Sequence, residues 1–347
     1  MKGELNVSVN SFGIDLGTSN IKIYNLADDT ILNQKNMIAI RNKKSLFAVG
    51  DEAFEMFEKA PGNIHISYPL NNGVIANINS MQILLKEFLK MSTNNSVRPA
   101  DYYIAVPSDI TEVERRAFGD LIKSAGLKPK KIYTVEKAIA DAAGLGVNMN
   151  EATGIMVVNI GAETTEISVI SLGGVVISRL IKAGGVKFDE AIQSSIRRNN
   201  NLMIGDKSAA VIKHQLASAI PEEDGLTGTV CGRDVVTGLP LEIAIPSKIV
   251  YEALKEPLHV IMDAIKVILE RTPPEFARDI IKSGVYVTGG GAMVRNLPQF
   301  ITESTGLPVN ICENPSESVA RGLANIMKNN DYRYLAYNIK DITGSGK

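Results

Sequence analysis

The sequence predicts an α/β fold built from two similar halves, and three observations point there. Apolar β-branched runs alternate with helical-period segments along most of the 347 residues, the pattern of a mostly parallel sheet with covering helices. One local grammar occurs twice, in FGIDLGTSNIKIY at 12–24 and IMVVNIGAETTEISVI at 155–170. Each copy reads as an apolar strand, then Asp15 or Asn159, then glycine, threonine and a second strand. Finally, the strand Val285–Val287 runs directly into Thr288-Gly289-Gly290-Gly291-Ala292 and a helix, a junction where glycines let backbone approach a ligand closely.

The elements follow in order. The hairpin at 12–25 is succeeded by short strands at Met37–Ile40 and Leu46–Val49 and a helical stretch Asp51–Lys59, broken by Pro61-Gly62-Asn63. Ser80–Met91 places Ile83, Leu84, Phe88 and Leu89 at helical spacing, and Tyr102–Val106 is a buried strand ended by Pro107. Thr111-x-x-Glu114 is a capping box, and Gly126 stands where that helix should end. Strand Lys131–Val135 leads into an alanine-rich helix, Glu136–Gly144. The second half repeats the hairpin, adds a strand at Val175–Ile181 and helices at Phe188–Arg198 and Ser208–Ala219, then a hairpin of Leu226–Cys231 and Leu241–Ile245 around Thr237-Gly238. Residues 247–271 are helical, with Pro257 expected to kink or split them. Helices Leu297–Ser304 and Ser316–Lys328 flank a short strand at Val309, and the polar tail 329–347 is expected to be partly disordered.

Composition narrows the function classes. The chain is 45% hydrophobic and 22% charged with a formal net charge of −1, so no global basic field points to nucleic acid. A chain this long buries roughly 75% of its unfolded surface and forms two domains or one bilobal unit. The cysteines, Cys231 and Cys312, suggest no disulfide framework and fit a reducing cytosol. The first twelve residues lack the apolar core of a signal peptide, and no run reaches the ~18 apolar residues of a spanning helix. His65, His214 and His259 are scattered without carboxylate or cysteine partners at ligand spacing, which argues against a histidine-bound metal site. No serine or cysteine nucleophile constellation is readable.

A Gly-Thr turn exposes successive N–H groups and hydroxyls, which suit phosphate oxygens. Two such turns facing each other would clamp a polyphosphate. Alone, either turn is equally an ordinary β-turn, and Glu163 is electrostatically odd beside phosphate. Their recurrence, together with the GGG junction, carries the reading.

All three features in this order match the superfamily of actin, sugar kinases and seventy-kilodalton heat-shock ATPases. Over about residues 10–328 the chain resembles the MreB family of bacterial actins. The resemblance rests on IDLGTSN at 14–20, VGDEAFEM at 49–56, PGNI at 61–64, GVIA at 73–76, VPSDITEVERRAF at 106–118, TTEISVISLGG at 164–174, VTGLP at 236–240, EALKEP at 252–257, RTPPE at 271–275 and VTGGGAM at 287–293. It implies a duplicated ribonuclease H-like, actin-like ATPase fold, with two lobes of two subdomains around a nucleotide cleft. The expected division is 1–31 with 66–148 and 325–347, then 32–65, then 149–185 with 246–324, then 186–245.

The same resemblance implies residue roles. Asp15 would sit near Mg²⁺ and, with Gly17, Thr18, Ser19 and Asn20, hold the phosphates of ATP or ADP. Gly161, Ala162, Glu163, Thr164 and Thr165 would form the second phosphate turn. Gly289, Gly290, Gly291, Ala292 and Met293 would line the adenosine, and Lys213 would contact the nucleoside, where Ala210 replaces a family glutamate.

Two further departures fall at catalytic positions. The family's Asp-Ile-Gly-Gly-Gly-Thr-Thr is here Asn159-Ile160-Gly161-Ala162-Glu163-Thr164-Thr165, so a carboxylate near Mg²⁺ becomes an amide. The family's Glu-Glu-Pro-Met-Ala-Ala-Ala begins here Glu136-Lys137-Ala138, so Lys137 replaces the carboxylate that orients the attacking water. Glu136 is one residue away, a rotation of ~100° on a helix, and should point elsewhere. Losing a water-positioning base costs on the order of 10²–10⁴ in rate. An ammonium near the γ-phosphate would instead favour the bound anion, with a Coulomb term of ~4 kcal/mol at 4 Å and an effective dielectric of 20.

The expected function is therefore a cytoskeletal filament-former that binds ATP-Mg, hydrolyses it slowly, and determines cell shape or drives cell-body movement. Its partners would be copies of itself and related filament paralogues, in the cytoplasm or at the inner face of the membrane. Membrane association should be weak or indirect, because the loop Ser92–Pro99 is mostly Ser, Thr and Asn. Two alternatives are a non-polymerising ATP-binding regulator of such filaments and a small-molecule kinase of the superfamily. Lys137 and Asn159 argue against the kinase, which needs an acidic base.

Overall fold

The computed structural model describes residues 10–71, 73–222 and 225–339. They fall into two compact units, one of residues up to 152 with 170–178 and 317 onward, the other of 153–169 with 179–316.

The first unit is centred on a six-stranded sheet. Its order is Tyr337–Asn338, Pro129–Glu136, Ala100–Val106, Ser11–Leu16, Asn20–Asn25 and Thr30–Lys35. Ser11–Leu16 pairs antiparallel with Asn20–Asn25 and parallel with Ala100–Val106. Every residue of Ala100–Val106 is buried, as expected for a central strand covered on both faces. Helix Ile78–Ser92 packs Leu84, Leu85, Phe88 and Leu89 into the same core as Ile14, Tyr102 and Ile104. A three-stranded sheet of Ile38–Arg41, Ser45–Val49 and Ile64–Ser67 closes over its own small core of Met37, Ala39, Ala48 and Ala53.

Helix Lys137–Gly144 crosses helix Ser318–Lys328 at contact distance. A Cβ on Gly322 would collide with the Ala140 carbonyl, so only glycine permits this approach. Ser318 Oγ donates to the fully buried Asp141 Oδ1 at 2.6 Å, and Asn325 Nδ2 donates to the Ala143 carbonyl at 2.8 Å. The short helix is thereby fixed in position, which matters because Lys137 is its first residue.

The sheet of the second unit holds Ile155–Ile160, Val285–Thr288 and Val309–Ile311, with residues 165–169 beside the first of these. Met156–Asn159 pairs in parallel with Val285–Thr288. A smaller sheet of Leu202–Met203, Thr227–Asp234 and Pro240–Pro246 accompanies helices Gly185–Asn200 and Asp206–Leu216.

Most sequence-read elements stand, including both hairpins and the capping box, in which Thr111 and Glu114 bond reciprocally. One reading is corrected and two are extended. Ser247–Arg271 is one continuous helix that Pro257 does not split. Its buried line of Val250, Leu254, Leu258, Ile261, Ile265 and Ile268 runs through the proline, so burial on both sides outweighs one missing hydrogen bond. Pro274–Ser283 is a separate helix that the sequence reading passed over, although Pro274 at its first turn is a start signal. The segment after 328 is ordered as far as 339. It forms a 3₁₀ turn at Asn330–Leu335, a strand pairing Tyr133 with Asn338, and a buried Ile339 against Gly119. Residues 340–347 of the expected disordered tail, and residues 1–9 of the leader reading, lie outside the described residues.

Candidate functional site

Each repeated turn is positioned by its own unit. In the first, Asp15 and Lys22 are directly opposed in the hairpin register. Lys22 Nζ lies 3.5 Å from Asp15 Oδ2, and Lys137 Nζ lies 3.2 Å from Asp15 Oδ1. The Asp15 side chain is 5% exposed, Lys22 10% and Lys137 22%. Burial alone would raise the Asp15 carboxyl, but Lys137 and then Lys22 outweigh it and hold it below the usual carboxylate range.

Lys137 opens its helix, where the macrodipole disfavours a cation. Asp15 offsets that cost by supplying the opposite charge. Glu136 precedes the helix without capping it through its side chain. Its Oε1 instead lies 3.4 Å from Arg115 Nη2, so this extended last residue of the strand points at a neighbouring helix.

The turn itself is held by side chains. Asn36 Nδ2 donates to the Gly17 carbonyl at 3.1 Å, and the Asn36 N–H donates to the Ser19 carbonyl at 2.9 Å. Ser19 Oγ donates to Asn20 Oδ1, and Asn20 Nδ2 donates to Asn33 Oδ1, each at 2.9 Å. Lys35 Nζ reaches Asn20 Oδ1 at 3.2 Å and Ser19 Oγ at 3.4 Å. Gly17, Thr18, Ser19 and Asn20 are all half-buried.

The second turn is held by backbone. The Gly161 N–H donates to the Thr164 carbonyl at 2.9 Å. The N–H groups of Gly185 and Val186, at the start of helix Gly185–Asn200, donate to the carbonyls of Gly161 and Ala162 at 3.0 and 2.7 Å. A helix N-terminus with no acidic residue in its first turn thus abuts this turn, an arrangement that favours anions.

Thr165 is fully buried and donates its hydroxyl to the Ala183 carbonyl at 2.7 Å. It anchors the base of the turn, while Ala162, Glu163 and Thr164 are half-buried. Lys213 Nζ is held by Asp189 Oδ2 at 2.7 Å and the Gly185 carbonyl at 3.0 Å, beside the backbone that supports the turn. Ala210 lies on the same helix, half-buried.

The GGG junction meets the end of the strand bearing Asn159. Gly289 has φ +80°, and a Cβ there would strike the Ile160 carbonyl and come within 2.8 Å of Asn159 Oδ1. Asn159 and Gly289 are therefore in contact because position 289 is glycine. Gly291 and Ala292 are buried, whereas Gly290 and Met293 are exposed.

The sequence reading missed Lys22 and Lys35. Both were recoverable from hairpin register, since a strand–turn–strand closing at 17–19 sets residue 22 opposite 15, and the next hairpin sets 35 opposite 20.

These groups fit a resident divalent cation poorly, which stands in tension with the expectation of Mg²⁺ on Asp15. Mg²⁺ demands near-ideal octahedral oxygen ligation. Asp15 is one carboxylate already bearing two ammoniums, and position 159 is an amide. No cluster of three or more His, Cys, Asp or Glu residues suited to a metal occurs among the described residues. A divalent ion ~5 Å from an ammonium is repelled by roughly 7 kcal/mol at an effective dielectric of ~20.

Comparison with known proteins agrees with this architecture. Residues 9–334 match the family model described as MreB/Mbl protein. The chain is 42% identical over 320 residues to the cell shape-determining protein MreB of Escherichia coli K12, covering 90% of this chain and 92% of that one. Crystal structures of MreB5 of Spiroplasma citri superpose closely. The ADP-bound form has a TM-score of 0.87 at 33% identity, covering 96% of this chain and 98% of that one. The AMPPNP-bound form has a TM-score of 0.88 at 34% identity, covering 93% and 97%. A MamK double helical filament, at 20% identity and TM-score 0.78 over 92% and 99% of the two chains, shares the fold. The chain belongs to the MreB/Mbl family and has its actin-like fold.

Proposed function

We propose that this chain binds an adenine nucleotide, ATP or ADP, and assembles with copies of itself into filaments that act in cell shape or cell-body movement. The observation that carries this reading is the likeness, at about a third identity over nearly the whole chain, to MreB5 holding ADP and AMPPNP. The turns at 15–20 and 161–165 would take the phosphates, Lys213 would contact the nucleoside, and the stretch 289–293 would line the adenosine. The four larger sheets would each form the centre of one subdomain. Related paralogues are candidate partners.

The proposed location is the cytoplasm, at or near the inner face of the membrane, with weak or indirect attachment. No described helix is long and apolar enough to cross a membrane, and the loop at 92–99 is polar.

Hydrolysis is proposed to be slow. Lys137 stands where the resemblance expects a water-orienting carboxylate, and its ammonium is turned onto Asp15. An ammonium has no lone pair to accept a proton or orient water as an acceptor, so loss of the base should lower the rate by about 10²–10⁴.

The test is simultaneous pelleting and phosphate release with ATP, beside a Lys137→Glu, Asn159→Asp double variant. Wild type that pellets with little phosphate released, and a variant that releases more, supports the reading. Wild type that binds nucleotide and never pellets overturns assembly in favour of a filament regulator. Phosphate release as fast as that of a relative with both carboxylates overturns slow hydrolysis.

A further inference from the structure

We infer that the Lys137 ammonium serves as a built-in counter-cation for the phosphates, so that this chain binds a nucleoside triphosphate with little dependence on a divalent ion. This rests on the nucleotide-binding reading above and specifies how that site neutralises its ligand.

The geometry carries the inference. A hydrated divalent ion beside a phosphate chain needs carboxylate oxygens facing it with their charge available. Here both oxygens of Asp15 face an ammonium, Oδ1 that of Lys137 at 3.2 Å as an ion pair without a hydrogen bond, and Oδ2 that of Lys22 at 3.5 Å. The carboxylate is almost wholly buried, so it cannot turn outward to serve a second cation without leaving two ammoniums behind. Lys137 is the more exposed of the two lysines and can bridge from Asp15 to an incoming anion.

Its position is also held. It starts a helix locked against Ser318–Lys328 through Gly322, the Ser318–Asp141 bond and the Asn325–Ala143 bond. The neighbouring Lys35 lies on the turn hydroxyl and amide of Ser19 and Asn20, which adds positive charge beside the same turn. An ammonium is a compact point charge with three donors, and it suits phosphate oxygens as a substitute for part of a metal's charge.

The experiment is equilibrium binding of AMPPNP to the full chain by calorimetry, once in excess EDTA and once in Mg²⁺. The variants are Lys137→Arg, Lys137→Met and Lys137→Glu, each first checked for a native circular-dichroism spectrum and melting transition. Wild type and Lys137→Arg should change Kd by less than about threefold between the two conditions. Lys137→Met should bind about tenfold or more weakly in EDTA. Lys137→Glu should bind in Mg²⁺ and lose binding in EDTA, because it restores a carboxylate and removes the ammonium.

Wild type that binds in Mg²⁺ but loses tenfold or more in EDTA overturns this inference and leaves the nucleotide reading intact. Equal EDTA binding by wild type and Lys137→Met also overturns it, since the charge would then come from elsewhere. No binding by wild type under either condition overturns the nucleotide reading and this inference together.

Discussion

The turn at 15–20 and the turn at 159–165 share one backbone form and are stabilised in opposite ways. The first is stitched by side chains, with Asn36, Asn20, Asn33 and Lys35 bonding around it, and its charge is concentrated on Asp15 between two lysines. The second is stitched by main chain, through Gly161, Gly185 and Val186, and its equivalent of Asp15 is an uncharged amide against a glycine. Repetition of a turn therefore duplicates a shape. The chemistry is set by what the surrounding elements deliver, a lysine from a helix in one unit and a helix N-terminus in the other.

The largest expected effect concerns how Lys137 is delivered. Gly322→Ala should cost about 3 kcal/mol, because a methyl group would overlap the Ala140 carbonyl and force the helices apart. Urea unfolding would measure it, and a near-neutral result would mean that the helix crossing does not hold Lys137 in place.

Next, Asp15→Asn gives the first turn the amide of the second. It should cost about 2 kcal/mol, since two largely buried ammoniums lose their carboxylate. The reciprocal Asn159→Asp should cost less, about 1 kcal/mol or below, because the side chain is half-buried and neutral, whereas Asp15 is a buried charge facing two ammoniums. Equal costs would erase the contrast between the two turns.

Thr165→Val removes the hydroxyl that ties the second turn to Ala183 and leaves a buried carbonyl without that donor, for about 1.5 kcal/mol. Its effect should appear in unfolding of the second unit, followed by hydrogen exchange in the strand Thr165–Ser171.

A small effect is also expected at the exposed capping box. Thr111→Ala should cost about 1 kcal/mol at neutral pH. The Thr111 N–H and hydroxyl hold the Glu114 carboxyl below its ordinary value. That contribution is present above the unfolded carboxylate range and lost as pH falls through the lowered folded value. The gap between wild type and variant should therefore narrow in acid by the share of the Thr111 hydroxyl bond to the carboxylate and keep the share of the Glu114 N–H bond to Thr111 Oγ, which a pH series of thermal melts would check.

Much of this contrast was readable beforehand and part was not. The duplicated strand–turn–strand was legible because period-two apolar runs and glycine punctuation are local signals. The substitutions at Lys137 and Asn159 were legible as departures from a pattern. Where the Lys137 ammonium goes was not, since residues 15 and 137 meet only through the parallel pairing of Ser11–Leu16 with Ala100–Val106 and of that strand with Pro129–Glu136. The reading of a phosphate-facing lysine left out a carboxylate acting as its anchor. The order at 330–339 was hidden for a similar reason. A polar, tyrosine-rich stretch looks like a tail until the sheet edge at Tyr133–Thr134 and the recess beside Gly119 receive it. The alternative of a split at Pro257 failed because a local breaker was weighed without the line of buried contacts on either side of it.

The strand Tyr337–Asn338 and Ile339 have a consequence for the order in which the protein is made. Every residue of the second unit precedes position 317, whereas the first unit draws on residues from both sides of it. A ribosome therefore releases a completed second unit while the first still lacks its helix Ser318–Lys328 and one edge strand. Until those last residues emerge, the crossing that positions Lys137 cannot form. The nascent chain would carry a finished backbone-built turn and an unfinished charge-bearing one, a window in which a chaperone would meet an open sheet edge at Tyr133 and Thr134.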